Sequence, residues 1–299
     1  MYKIMRIASI LFFFVFSNIN AQDFLKIPPK LIGDQFGFTE GPVWIQSKRL
    51  WLFTDIIHNK VYSLNIKGEL KVYDDDSGYA NGLNIDKKGN IWYACHNGTV
   101  IYKKFKGKKR VAASSYEGKR LNSPNDIAIQ SNGAIWFTDP NFGISIEGFG
   151  PQLRNDEQPV RGIYQIQDGK ITLKDGSLKL PNGIAFSLDE KYLYTADTAD
   201  GVVYRFDFDG KNISNKKAFA KVKSGKKIKP MADGIKVDSK GNLYVTAGPG
   251  GFAIFSPSGE QLEHFLINSD FVSNIAFGGE ENKKLMVTGM NKVYIYDIK

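Results

Sequence analysis

Six short segments along the chain share a feature that could do chemistry, because each begins with an oxygen-bearing side chain. They are Glu40-Gly41-Pro42, Asn81-Gly82-Leu83, Asn125-Asp126-Ile127, Asn182-Gly183-Ile184, Asp233-Gly234-Ile235 and Asn274-Ile275-Ala276. The lead residues are two carboxylates and four carboxamides, with no Lys or Arg among them. A single Asn or Asp of this kind often does no more than bond its own turn. Six brought to one place would form a ring of oxygen donors whose two carboxylates repel unless a cation compensates them. Oxygen ligands without Cys, and without an HxH or HExxH pair, suit a hard divalent cation with flexible coordination. Calcium comes first, and magnesium, manganese or zinc can use the same oxygens. Glu40, Asn125, Asn182 and Asp233 are the candidate direct ligands, with Asn81 and Asn274 one step behind them.

The elements that would gather these residues are legible as a repeat. Each segment opens a short apolar strand. Eleven residues beyond Glu40, Asn81, Asn125, Asn182 and Asp233 stand Trp51, Trp92, Trp136, Leu193 and Tyr244, while the sixth unit slips by one to Met286. Tight-turn sequences lie between the two strands, as in Lys88-Gly89-Asn90, Asn132-Gly133, Asp189-Glu190 and Lys240-Gly241-Asn242. Third strands follow at 61–64, 100–102, 163–166, 202–206, 253–255 and 293–296, and further turns such as Asp209-Gly210 and Ser258-Gly259 lead to an outer strand. The unit starts are 41, 44, 57, 51 and 41 residues apart, the length of a four-stranded blade with variable loops. The chain is therefore read as an all-β six-bladed β-propeller with a metal site in its central channel. The aromatic positions fill the space between neighbouring sheets, and equivalent residues of all blades meet at one height around the axis.

Composition agrees with a packed globular domain. Of 299 residues 42% are hydrophobic, and the lone Cys95 excludes both an internal disulfide framework and a paired-cysteine zinc or redox centre. The net charge of +9 is spread over lysine-rich stretches, the densest at 103–110 and 216–229. Neither stretch interleaves aromatic residues, and no helix-turn-helix or zinc-finger pattern accompanies them, so they read as solvated loops and nucleic acid is not an expected partner. Lys3 and Arg6 precede the apolar run 7–16, and small or polar residues lead to Ala21. This is the pattern of a secretory signal peptide over 1–21, followed by one propeller domain over 22–299. The apolar run is too short to span a bilayer and no later segment supplies about 20 uninterrupted apolar residues. A periplasmic or secreted protein is expected, not an integral membrane protein, and no obligate protein partner is evident.

The strings Phe38-Thr39-Glu40-Gly41-Pro42-Val43-Trp44, Asn122-Ser123-Pro124-Asn125-Asp126, Phe137-Thr138-Asp139-Pro140, Leu180-Pro181-Asn182-Gly183, Ala232-Asp233-Gly234-Ile235 and Ser273-Asn274-Ile275-Ala276-Phe277-Gly278-Gly279 resemble the senescence marker protein, gluconolactonase and luciferin-regenerating enzyme family. The resemblance runs from about Phe36 to the C-terminus. It implies a six-bladed propeller that hydrolyses lactones with one channel-bound divalent metal. It also implies that the metal-binding Glu, Asn and Asp are Glu40, Asn182 and Asp233, that Asn125 contacts metal or substrate, and that Asp233 is the acid/base. Some members carry an Arg two residues before that Asn; Ser123 stands there instead, with Arg120 out of register, which bears on the substrate more than on the reaction.

On this reading a cation polarises the lactone carbonyl, Asn125 and Asn182 fix its orientation and Asp233 deprotonates the attacking water. The substrate is a small lactone, a sugar lactone such as an aldonolactone. An aryl ester or organophosphate is the second enzymatic reading, and a non-catalytic ligand-binding propeller the third.

The remaining signals are weighed one by one. His96 is expected either at the mouth of the site, touching substrate with Asn81, Asn125 and Asn274, or in a turn before Asn97-Gly98. His58 and His264 read as surface loop residues. Cys95 reads as a buried small hydrophobe, Gly248-Pro249-Gly250-Gly251 as a plain loop, and the SxxK match at Ser224 as accidental. No GxSxG elbow is present. The 141–161 insertion in the third unit is long enough to act as a partial lid over the channel. If the N-terminal reading is right, intact-mass analysis of exported protein gives a chain beginning at or near Gln22; a mass that retains 1–21 refutes it.

Overall fold

The computed structural model describes residues 25–223, 229–267 and 271–298. The signal-peptide expectation and the SxxK match at Ser224 lie outside them.

Six four-stranded antiparallel sheets are arranged as the repeat requires. The first is Thr39–Ile45, Leu50–Asp55, Lys60–Asn65 and Leu70–Asp74, and the innermost strands of the next four are Ala80–Ile85, Ile127–Ile129, Pro181–Phe186 and Ile235–Val237. The sixth sheet departs from a simple tandem array. Asn274–Gly278, Lys284–Gly289 and Lys292–Ile298 come from the end of the chain, and the outer strand is Leu25–Gly33 from its beginning. Lys30 faces Ile295 and Leu31 faces Tyr294 across this pairing. The first and last blades are thereby tied into a closed ring, which leaves only short, protected edges.

Each of six apolar clusters lies between two neighbouring blades. Trp51 and Phe53 of blade one pack with Met286 and Val293 of blade six, Leu52 with Tyr93 of blade two, and Trp136 with Leu193 and Phe206 across blades three and four. The expected aromatic positions are buried there, with Trp92 half-buried and stacked on Tyr102 at 4.8 Å. The turn assignments also hold: Gly89, Gly133, Gly210, Gly241 and Gly259 have positive φ, the conformation that glycine adopts without cost.

Two sequence expectations are corrected. The 103–110 stretch is not merely solvated loop: Lys103 is buried and Asp74 takes its ammonium at 3.0 Å and that of Lys109 at 3.1 Å. His264 lies on the strand Gln261–Phe265, with its Nε2 2.6 Å from the Gly250 carbonyl.

The inner ends of the blades are held by hydroxyl donors reaching to the next blade. Thr54 donates to the Asn81 carbonyl at 2.9 Å, Thr138 to that of Asn182 at 2.7 Å, and Thr246 to that of Ser273 at 2.7 Å. Ser273 continues the series from blade six to the Thr39 carbonyl at 2.7 Å. Blades two and three are joined by the Gly82 amide donating to the Asn125 carbonyl at 2.7 Å. Below these donors, Asp139 accepts the amides of Asn122 and Ser123, and Asp55 and Asp197 hold the corresponding approach loops of blades one and four.

This close approach explains the second residue of the repeated segment. A Cβ on Gly82 would stand 2.6 Å from the Asn125 carbonyl oxygen, and Gly41 and Gly183 face the Asn81 and Asp233 carbonyls in the same way. Gly82→Ala sets side chain against backbone that cannot retreat, so a loss of about 3 kcal/mol in chemical denaturation is expected; an unchanged midpoint would contradict this packing.

Candidate active site

The six lead residues stand where the innermost strands begin, and all are at least nine-tenths buried. Glu40 Oε2 accepts from its neighbour Gly41 N at 2.7 Å and from Asn274 Nδ2 at 2.9 Å, so blades one and six meet through side chains. Asn182 Nδ2 donates to Thr198 Oγ1 at 3.0 Å, and that hydroxyl donates to the Ala232 carbonyl at 2.8 Å, which joins blade four to the approach of Asp233. The Asn182 side chain lies near enough to the Asp233 carboxyl to favour its ionised form. The Asn125 carboxamide is 2% exposed and makes no hydrogen bond among the described residues.

Sequence reasoning missed a third carboxylate and a lysine. Asp126 occupies the place that glycine holds in four other segments, and its carboxyl accepts the Ile127 amide at 2.9 Å. Its other oxygen lies 3.8 Å from Lys236 Nζ of blade five. The signal was present, since Asp126 breaks the glycine pattern. Lys236 lies three residues beyond the sixfold position Asp233, where the repeat gave no reason to look.

Burial dominates the ionisation of these groups. It pushes Glu40 up to about 7, against the bonds from Gly41 and Asn274. It raises Asp233 well above the usual carboxylate range, with the Glu40 charge adding to the rise. Asp126 is raised by burial and partly restored by Lys236. Three buried carboxylates against one lysine among the described residues leave two negative charges when all are ionised.

His96 lies at the site, not in a free surface turn. Its Nε2 is 3.1 Å from Asn81 Nδ2 and its Nδ1 is 2.8 Å from the Phe149 carbonyl oxygen. An amide donor on one side and a carbonyl acceptor on the other require the neutral ring with its proton on Nδ1. Burial accordingly pushes His96 down to about 4. The bond brings the 141–161 insertion onto the channel mouth, where Gly143 packs directly on the His96 ring. Arg154 Nη2 fastens the insertion by donating to the Leu121 and Asn122 carbonyls at 2.7 and 2.8 Å. Ser123 is buried beneath it, donating to Pro140 O at 3.0 Å and accepting from Gly143 N at 3.1 Å. Cys95 is no nucleophile here, because burial pushes its thiol up to about 12.

The family model for the SMP-30/gluconolactonase/LRE-like region matches residues 38–291. The chain belongs to this family. A gluconolactonase of Zymomonas mobilis is 29% identical, over 90% of this chain and 81% of the relative. The structure of a gluconolactonase from Xanthomonas campestris superposes with a TM-score of 0.85 at 27% identity, covering 93% of this chain and 92% of that one. Regucalcin from Agrobacterium tumefaciens, a calcium-binding protein, shares the fold at a TM-score of 0.74 and 18% identity, over 91% and 94% of the two chains. The family match spans every ring residue from Glu40 to Asn274. Among the described residues, no three His, Cys, Asp or Glu side chains gather as a ligand set. No described helix is long and apolar enough to cross a membrane.

The His96 bonds give a pH dependence of defined sign. The unfolded chain takes up this proton near its ordinary pKa of about 6.5, while the folded chain resists it down to about 4. The contribution of His96 is complete above the upper value and is lost as pH falls through the lower one. Denaturation midpoints of wild type and His96→Gln should diverge less at about pH 5 than at about pH 7; parallel profiles would refute the neutral latch.

Proposed function

We propose that this protein hydrolyses lactones, sugar lactones among them, with a divalent metal ion held in the channel by Glu40, Asn125, Asn182 and Asp233. The observation that carries the reading is the charge at the centre of the propeller. Glu40, Asp126 and Asp233 are buried together, Lys236 is the one lysine among the described residues that acts on Glu40 and Asp126, and a divalent ion would hold the carboxyls in their charged form. The unbonded Asn125 carboxamide supplies an uncommitted oxygen beside them, so the donor set fits a hard ion. Calcium suits it best. Membership of the family and the gluconolactonase relatives support the lactone as substrate.

Such an ion would polarise the lactone carbonyl and stabilise the oxyanion that forms on it. Asn125 orients the carbonyl, and Asn182 stands beside the Asp233 carboxyl. Asp233 accepts a proton from the attacking water as the new carbon–oxygen bond forms. When the ring carbon–oxygen bond breaks, the same carboxyl returns the proton to the leaving alkoxide, so the product is the open hydroxy acid. The N-terminal pattern supports export as the setting.

Asp233→Asn should lower kcat by roughly 10²-fold or more while circular dichroism and unfolding remain those of the wild type. Glu40→Gln should weaken calcium binding measured by calorimetry, and chelator should abolish turnover of aldonolactones and simple lactones. Preference for an aryl ester or a phosphotriester would move the assignment to those electrophiles, and full activity after chelation would refute the metal.

A further inference from the structure

The ring of oxygen donors accounts for the lactone carbonyl and leaves the mouth above it unexplained. Two residues before the lead position, blades one, two, four and five carry Phe38, Tyr79, Leu180 and Met231, all half-buried. The 141–161 insertion adds Phe149, whose ring centroid is 4.9 Å from that of Phe38. Phe271 approaches Phe38 from the other side at 5.7 Å and closes over Gly248 beside the Met231 methyl. An apolar collar thus begins at His96, on which Phe149 stacks, and continues through Phe38 and Phe271 to Met231.

Apart from the Tyr79 hydroxyl, the polar side chains named near this rim are already committed. Arg154 donates to the Leu121 and Asn122 carbonyls, Arg120 to that of Asn97, and Lys229 to that of Ala199. The Ser123 hydroxyl is buried under the insertion. Hydroxyl groups on a bound molecule would therefore meet aromatic and thioether surface here, while an apolar group would remove that surface from water.

We propose that the site is selective for lactones bearing an apolar substituent on the ring carbon away from the carbonyl, with Phe38, Phe149 and Phe271 as the specificity-determining residues. This rests on the lactone-hydrolase reading and adds the part of the substrate that the ring of donors does not address. The two ends of the site divide the work: the oxygen donors act on the carbonyl, and the collar takes the substituent. The insertion is part of the selectivity because its Phe149 is seated by the His96 bond.

The test compares δ-decalactone with δ-hexalactone, which share a ring and differ only in the length of the alkyl chain, and with an aldonolactone. In the metal-loaded wild type, kcat/KM should be about tenfold higher or more for δ-decalactone than for δ-hexalactone, with the gain in KM. Phe149→Gln, which keeps bulk but removes the apolar surface, and Phe38→Ala should bring that ratio close to one. Two variants on different elements guard against misfolding of either. A ratio near one in the wild type, or an aldonolactone turned over best with no change of preference in either variant, would overturn the collar and leave lactone hydrolysis standing. If no lactone is hydrolysed, that reading fails and calorimetry with the lactam analogue of δ-decalactone decides the collar. Binding that Phe149→Gln abolishes would support it, and no binding would overturn it.

Discussion

The close approach of one blade's inner strand to the carbonyl groups of the next governs the rest of this structure. A glycine at the second position of a segment removes the Cβ that would strike the neighbouring backbone, and Thr or Ser hydroxyls then bond the carbonyls that come near. These backbone contacts set the radius of the channel, and the lead side chains inherit their mutual distances from them. Six interblade apolar clusters supply the driving force for closure. They act over area and are tolerant of detail, whereas the inner carbonyl contacts are not. Precision at the site therefore comes from the polar inner belt, and stability from the apolar shell around it.

The same constraint makes the electrostatics severe. Side chains at so small a radius are stripped of water by the neighbouring strands, and desolvation is the leading influence on Glu40, Asp126 and Asp233 alike. Fold stability alone would favour neutral side chains at these positions. Their presence puts negative charge where one lysine cannot balance it, which is the physical content of the functional reading.

The part of this arrangement that was legible in the sequence is the part written at a constant offset. The six lead residues, the aromatic positions eleven residues on and the turn glycines repeat blade by blade, so count and closure could be read without any three-dimensional information. The outer strand Leu25–Gly33 escaped because its partner Lys292–Ile298 stands at the far end of the chain, and no local pattern marks such a pairing. Asp126 and Lys236 were hidden for a different reason: they depart from the repeat, and a periodic reading averages departures away. The bond from His96 to Phe149 joins a side chain to a backbone carbonyl 53 residues on. The length of the insertion suggested a lid, but composition could not say which atom would seat it.

That last contact shows how the regular and irregular parts depend on each other. Asn81 belongs to the repeat, and its carboxamide donates to the ring nitrogen of His96. This leaves the opposite nitrogen to carry the proton that Phe149 receives. A lead position of the propeller thus fixes the tautomer of a histidine, and the histidine fixes a loop found in one blade only. A charged imidazole would have no lone pair for Asn81, and the desolvation that drives the site's carboxyls toward protonation drives His96 the other way. The burial that raises the proton affinity of the carboxyls is thereby also what keeps the insertion in place, so a change that admitted water at the ring would loosen the mouth as well.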